Sequence, residues 1–489
     1  MKFEMGNLKL EAKINHEGSK DTKLRALRVL SEAGVKNLFG IIALCLLTTS
    51  CAIYAPKDRM LNAQFPEQFS IYSEKVPSIG TFWWESFQSL ELNGLIDEVL
   101  TNSPSIQQAW ARLAQAEAIA TQSGAARLPS ISANANATAS RDSITLNNTH
   151  AYSLGLSAAY EVDLWGRIKS QSQAAALDRD ASHEQLNTVA ITLSAQTANL
   201  WTGIVAQRLQ TNLLRKQLEA NQTSLELIEL RFKKSLATAL DVYQQRQAVA
   251  ATEARIPPAE LREQLLKNQL AALLGRSDFQ TLELLDQKLP TLGKLPAIGI
   301  PADVLANRPD VRHAGLRLRA ADWSVSSARA DRLPAIRLTA AADYRNAKSS
   351  DLFDDWFANL VGGVTGPIFE GGRRKAEVER TRAVVDERLA EYRETVLNAI
   401  REVEDALISE EKLREHLVAL TQNLELSRNS YREAVSRYRN GLIDYLPVLV
   451  ELVRFQTLER DQIAAQLTLL QTRIDLHRAL GGNGEWMEE

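Results

Sequence analysis

Residues 373–440 contain neither glycine nor proline. These 68 consecutive positions predict a helix about 100 Å long at 1.5 Å per residue. The earlier stretch 167–234 matches it and is interrupted only by Gly203. Within that stretch Leu186, Val189, Leu193, Leu200 and Ile204, then Leu214, Leu218, Leu225 and Ile228, follow the 3/4/7 spacing of a coiled-coil seam. Helices of this length exceed the globular range, so they point to a coiled coil or helical array instead of a compact core. Shorter helices are expected at about 240–274 and 448–480. A charged segment such as Glu402 to Arg414 reads as the solvated face of its helix.

The two long stretches belong to an internal duplication. Asn102-x-Pro104 recurs as Asn307-x-Pro309, and Arg127-Leu128-Pro129 as Arg332-Leu333-Pro334, at an offset of 205. Gly166-Arg167 recurs as Gly372-Arg373, Arg231-Phe232 as Arg437-Tyr438, and Leu274-Gly275 as Leu480-Gly481, at an offset of 206. A length of 489 residues has room for about three ordinary domains. The landmarks replace that count with two copies of one unit. The expected division is 1–50 leader, 51–101 N-terminal segment with a first helix, 102–275 repeat 1, 276–306 linker, 307–481 repeat 2 and 482–489 tail.

Between the landmarks the hydrophobic period changes from helical to two. Ile131, Ala133, Ala135, Ala137 and Ala139 alternate with Ser132, Asn134, Asn136, Thr138 and Ser140. Tyr152, Leu154, Leu156, Ala158, Tyr160 and Val162 alternate with Ser153, Gly155, Ser157, Glu161 and Asp163. In repeat 2, Ile336, Leu338, Ala340, Ala342 and Tyr344 alternate with Arg337, Thr339, Asp343 and Arg345. A weaker partner runs from Trp356 to Phe369, with Pro367 near its end. Strands are therefore expected at about 130–140, 152–164, 335–345 and 356–369, paired as hairpins across Arg141 to Thr149 and Asn346 to Asp355. Alternation over about ten residues is the pattern of a transmembrane β-strand. A half-buried soluble hairpin is the other reading, which the alanines of 131–139 keep open.

If these strands lie in lipid, four cannot close a barrel, because about eight is the working minimum. An open edge would leave backbone groups unsatisfied at several kcal/mol each. The chain must then oligomerise: two copies give eight strands filled by side chains, three give twelve with a lumen. A mean hydropathy of -0.22 and the lack of any run of 18 apolar residues exclude a helical membrane protein, but they leave a barrel open. The net charge of -3 gives no basic excess of the kind that nucleic-acid binding requires.

Near the amino terminus, Leu38 to Leu47 form an apolar run of ten preceded by Lys36 and followed by Thr48, Thr49, Ser50 and Cys51. That is the layout of a secretory signal peptide; a short buried helix is the alternative. The first 34 residues are too charged and long for an n-region, which places the expected translation start at Val35, read from a GTG codon. LLTTSC resembles a bacterial lipoprotein box that would acylate Cys51, with Thr48 where that pattern usually has Leu. Ala52 in the next position resembles lipoproteins sorted to the outer membrane. Removing residues 1–50 takes away 8 Lys/Arg and 5 Asp/Glu, leaving 49 against 55, and leaves one cysteine, so no internal disulfide.

Catalytic patterns are missing. There is no HExxH, paired CxxC or P-loop. His183-Glu184 lacks a second histidine, and Gly371-Gly372-Arg373 lacks the loop length and Lys-Ser/Thr that cradle phosphate. Asp354-Asp355 reads as a solvated loop. The expectation is no enzyme and no cofactor.

With these residues in view, the chain over about 78–482 resembles the outer-membrane efflux protein family of TolC-like channels, in particular its lipoprotein branch serving resistance-nodulation-division pumps. Trp84-x-x-Phe87 with Leu95-Ile96, Arg127-Leu128-Pro129, Tyr160-Glu161-Val162-Asp163-Leu164-Trp165-Gly166-Arg167, Phe369-Glu370-Gly371-Gly372-Arg373 and Arg437-Tyr438-x-x-Gly441 carry the likeness. It implies a mainly α protein with a membrane β-barrel. Each chain would give four strands and long coiled-coil helices, and a homotrimer would form a twelve-stranded barrel continued by an α-helical periplasmic tunnel. It implies passive export, with a periplasmic adaptor and a proton-driven inner-membrane pump as partners. Gly166, Arg167, Gly372 and Arg373 would form the strand–helix junctions. Leu236, Asp241, Gly441 and Asp444 would lie at the adaptor-contacting tip, with Gly441 as a helix C-cap and Asp444 as an N-cap. Related channels place a constricting acid early in the last long helix, where this sequence has Val450 with Glu451 one position on. Asp241 and Glu451 are the gate candidates, against a reading as helix N-terminal charge or surface acids. A type I protein-secretion channel and a lipid-anchored periplasmic coiled-coil scaffold are the alternative functions.

Overall fold

The structure is a computed structural model that describes residue 69 and residues 82–141, 148–279, 282–293, 295–296 and 301–482. The expected leader, Cys51 and the last seven residues of the tail lie outside the described residues. A 3₁₀ turn at Trp83–Phe87 leads into α1 (Leu90–Asn102) and α2 (Pro104–Ala125). Then come β1 (Ser130–Arg141), β2 (Asn148–Val162), α3 (Arg167–Lys233), α4 (Ala239–Glu253) and α5 (Ile256–Leu273). The second copy adds α6 (Pro301–Asn307), α7 (Pro309–Ala330), β3 (Ala335–Asn346), β4 (Trp356–Thr365), α8 (Arg373–Arg439) and α9 (Tyr445–Ala479).

Helices α3 and α8 are each 67 residues long and unbroken, about 100 Å. Gly203 does not interrupt α3. A Cβ there would lie 3.4 Å from Leu266 Cδ1, an ordinary contact, so α5 packs on α3 at a position that does not demand glycine. Strand β2 starts at Asn148, earlier than expected, and ends at Val162; in three other segments proline explains the difference from the sequence reading. The helix expected over 240–274 is two, α4 and α5, because Pro257 and Pro258 lack the N–H groups that would continue the ladder across Ala254 and Arg255. The helix expected from 448 starts at Tyr445, with Pro447 in its first turn, where no donor is needed. Strand β4 stops at Thr365, so Pro367 follows the strand instead of interrupting it. The 276–306 segment is also more than a linker: Leu282 and Leu284 enter the main core.

The repeated landmarks turn out to be one clasp used twice. Gly275 (φ 75°) and Gly481 (φ 90°) follow the last helix of each copy in the left-handed region. A Cβ on Gly275 would lie 2.9 Å from the carbonyl oxygen of Asn102, and one on Gly481 3.1 Å from that of Asn307. The end of each copy therefore seats against the Asn-x-Pro turn at its start, and Pro104 and Pro309 open the helices that follow.

The largest apolar core lies midway along the array. It gathers Trp84, Leu92, Ile96 and Leu270 around Trp201 and Ile204 of α3, with Ile474 of α9. Trp201 Nε1 donates to Glu91 at 2.8 Å, which satisfies the one polar atom of that ring. Beside this core Arg473 donates to Glu410 at 2.7 Å, with both side chains buried. His477 stacks on Trp83 at 5.4 Å. Burial, helped by the Arg473 charge, pushes the His477 pKa down to about 4. A proton that binds the unfolded chain near pH 6.5 is thus refused by the fold, so stability falls as pH drops from there toward 4. The loss should reach about 3 kcal/mol at most. Apparent melting temperatures at pH 7 and pH 5 should show the drop, and His477→Phe should flatten this part of the profile.

Candidate functional site

The four strands form one antiparallel sheet in the order β1-β2-β3-β4. Its register brings the main apolar positions of the four strands onto one face, while Phe357 and Val361 of β4 share the other face with the polar residues. Ala133 pairs with Leu156, Leu156 with Ala342 and Ala342 with Ala358. Two rows away on the same face, Ala135 pairs with Leu154 and Leu154 with Tyr344, which pairs with Trp356. The other face carries Ser132, Ser157, Ala341 and Asn359 in one row, and Ser132 and Ser157 share a hydrogen bond of 2.9 Å. Ile131, Leu360 and Val364, all on the apolar face, are 71–77% exposed, a surface that water does not stabilise. Tyr152, Tyr344 and Trp356 sit on that face near the hairpin loops, and Tyr160 sits near the helix end. Paired aromatic girdles of this kind flank the apolar band of a membrane barrel. A twelve-residue strand tilted by about 40° spans about 30 Å, the depth of a hydrocarbon core. At Gly155 the β3 backbone comes so near that a Cβ would overlap Asp343 and the Ala342 carbonyl.

Both edges of this sheet are open, since β1 and β4 each have one partner. The helices repeat the pattern. Next to the sheet, α2 packs on α3, α3 on α7 and α7 on α8; farther out, α4 and α5 pack on α3, α3 on α9 and α9 on α8. The array therefore ends at α8 on one side and at α2 or α4–α5 on the other. Exposed apolar side chains mark those ends: Trp110 and Ile119 on α2, Leu261 and Leu265 on α5, Leu397 and Val418 on α8.

The strand–helix junctions give the Tyr160–Arg167 motif a physical role. Gly166 and Gly372 adopt φ 72° and 83°, which glycine accepts at little cost. Asp163 accepts from the backbone N–H groups of Ile168 (3.0 Å) and Lys169 (2.7 Å), capping α3. Arg167 pairs with Glu161 at 2.7 Å. Trp165 Nε1 reaches the Pro334 carbonyl at 2.7 Å, joining the exit of one hairpin to the entry of the other. In repeat 2 the close pair is Arg374 with Glu370, at 2.8 Å, while Arg373 lies 3.5 Å from Glu370. Sequence reasoning singled out Arg373 and missed Arg374, Asp163 and Glu161. The available signal was an acid four to six residues before each helical arginine.

At the far end, two hairpin turns lie side by side. Gly441 (φ 72°) ends α8, with Gly441 N donating to the Tyr438 carbonyl and Leu442 N to that of Arg437, each at 3.0 Å. The same two bonds end α3 through Ser235, at φ 60°. Leu236 is exposed. Asp241 forms a capping box with Thr238, accepting from Thr238 N at 2.8 Å. Asp444 occupies the N-cap position of α9 without a side-chain capping bond. Glu451 lies 3.8 Å from Arg454. The tip positions thus come together; Glu451 makes only a loose approach to Arg454 one turn on, and the Asp241 carboxylate is held at a helix start. Behind them Gln245 donates to the Asn221 carbonyl at 2.7 Å and accepts from Tyr445 OH, while Gln456 donates to Asn221 Oδ1 at 2.9 Å. Among the described residues no cluster could hold a metal ion, and no helix is long and apolar enough to cross a membrane.

The sequence profile of the outer membrane efflux protein family matches residues 95–276 and 300–482. The chain belongs to this family. It is 32% identical over 462 residues to the pyoverdine export outer membrane protein OpmQ of Pseudomonas aeruginosa, covering 92% of this chain and 97% of that one. It is 30% identical over 470 residues to the outer membrane protein OprJ of the same organism, covering 91% and 96%. Among solved structures, the open state of the Neisseria gonorrhoeae MtrE outer membrane channel superposes with a TM-score of 0.79 at 25% identity, covering 87% and 97%. This efflux protein therefore resides in the outer membrane, and its sheet is the membrane wall.

Two substitutions test the wall. Asp163→Ala should cost about 1 kcal/mol by removing the cap, read as a lower melting temperature that Asp163→Asn largely restores. Gly155→Val should separate β2 from β3, abolishing membrane-inserted oligomer while far-ultraviolet circular dichroism keeps its helical signal.

Proposed function

We propose that three copies of this chain close into one twelve-stranded barrel continued by a tunnel of long helices, and that this assembly is a passive export duct. One observation carries the reading: the sheet and the helical array stay open along the same two edges while the sheet carries an apolar outer band. In lipid an unpaired β1 and β4 are untenable, so β4 of one copy pairs with β1 of the next. Two copies would give eight strands whose side chains fill the interior; three leave a lumen, lined by the serine, asparagine and threonine face.

Energy for export comes from elsewhere, since the sequence holds no nucleotide-binding loop. A proton-driven inner-membrane pump supplies it through a periplasmic adaptor, which docks on the tip around Leu236, Asp241, Gly441 and Asp444. The export of pyoverdine for which OpmQ is named favours small organic solutes over folded proteins as cargo. Cys51, acylated after signal cleavage, anchors the amino terminus in the inner leaflet of the outer membrane.

Full-length protein in a planar bilayer should conduct, and its mass in detergent should be three times that of one chain. A non-conducting monomer would refute the duct. Radiolabelled palmitate should enter the wild-type protein but not Cys51→Ser, which should still form trimers.

A further inference from the structure

We propose that the loop between β3 and β4 bends outward onto the membrane and sets the ring of Phe353 among the lipids of the outer leaflet, as an anchor beyond the strands. This rests on the sheet being the membrane wall and not on the number of copies that close it. The loop is residues 347–355, with a 3₁₀ turn at Ser349–Asp351. A loop at the rim of a barrel can cover the lumen, stand up into water or bend down over lipid. Two contacts decide among these. The Phe353 ring meets the Tyr344 ring at a steep angle, with centroids 5.3 Å apart. Asn346 Nδ2 donates to the Asp351 carbonyl at 2.9 Å. Tyr344 and Asn346 are two apart on β3, so both belong to the face that carries Leu338, Ala340 and Ala342. The returning half of the loop is therefore tied to the apolar face. On the polar face Asp343 and Arg345 pair with each other instead.

The level at which Phe353 sits supports the same reading. Its partner Tyr344 pairs with Leu154 on β2 and with Trp356 on β4. On that face β2 continues from Leu154 through Tyr152 to His150 and Asn148. Phe353 is thus brought back to a row where the sheet is still apolar, short of its polar end. There Tyr344, Phe353 and Trp356 form one aromatic patch, continuous with Leu360 and Val364 farther down β4. Phe353 is 64% exposed and Trp356 68%, and water offers such a patch no partner. Lipid does. Tyrosine and tryptophan keep a polar atom for the headgroup layer, whereas phenylalanine has none and gains most from the hydrocarbon itself.

An anchor of this kind fixes the height of the wall. Strands with an apolar band can slide along the membrane normal until a polar row meets hydrocarbon. Moving the sheet outward would draw Phe353 into water, and moving it inward would push His150 and Asn148 into lipid. The two hairpins of one chain thus limit the movement in opposite directions.

The test uses full-length protein in phosphatidylcholine vesicles, with the photoreactive residue p-benzoylphenylalanine placed at one position at a time. The positions are Phe353, Leu360 on the apolar face of β4 and Phe357 on its polar face. Irradiation should attach lipid at Phe353 about as often as at Leu360, and roughly tenfold more often than at Phe357, read as lipid-adduct mass on the corresponding peptide. Adducts at Leu360, with Phe353 no higher than Phe357, would overturn the anchor and spare the wall. Equal adducts at Leu360 and Phe357 would overturn the wall and the anchor with it.

Discussion

Everything in this protein follows from the backbone hydrogen bonds of β1 and β4. Inside the sheet every strand has a ladder on each side, and at these two strands the ladder stops. In water such an edge is a liability managed with charge or proline. In a hydrocarbon layer no solvent exists to satisfy it. The apolar band on one face of the sheet requires lipid, and lipid requires that the edges be closed. A single chain cannot meet both demands, so the fold is incomplete until copies meet.

The duplication makes that closure geometrically simple. Each copy contributes a hairpin and a long helical arm, and the β2–β3 pairing joins the two hairpins with the apolar positions in phase. A slip of one residue there would turn the lipid face of one hairpin into the lumen. Gly155 holds the register because β3 passes too close for any side chain. Trp165 ties the first hairpin's exit to the second hairpin's entry through the Pro334 carbonyl. The same junctions set the direction of the arms: Gly166 and Gly372 turn the chain, and acids on the strand side meet the first residues of each helix.

Much of this was legible in the sequence because it repeats with a period. Alternation marked the strands, the 68-residue run marked α8, and the duplicated landmarks marked the unit. Features that depend on one contact were not legible. The break between α4 and α5 falls at Pro257-Pro258, inside a segment expected as one helix. The capping role of Asp163 needs the geometry of a turn, and the pairing of Arg374 in place of Arg373 is a one-residue shift that no periodicity predicts. Leu282 and Leu284 have no pattern of their own, since a loop entering a core leaves no repeat.

The core is unevenly distributed along the arms, and that gives the two ends different properties. The large apolar cluster lies at mid-length around Trp201. Toward the tip the interior becomes polar: Asn221, Gln245, Gln456 and Tyr445 bond to one another across α3, α4 and α9, with Thr252 accepting from Asn221 at 2.8 Å. A buried network of this kind adds less stability than aliphatic packing but admits few alternative pairings, so it fixes the helices in register. Among the described residues, the apolar packing at that end is the small cluster around Ile228 and Val448, which Tyr445 joins to the network. The tip is therefore specified by directional bonds and anchored by little apolar area. Displacing its hairpins costs less than displacing the middle of the arms.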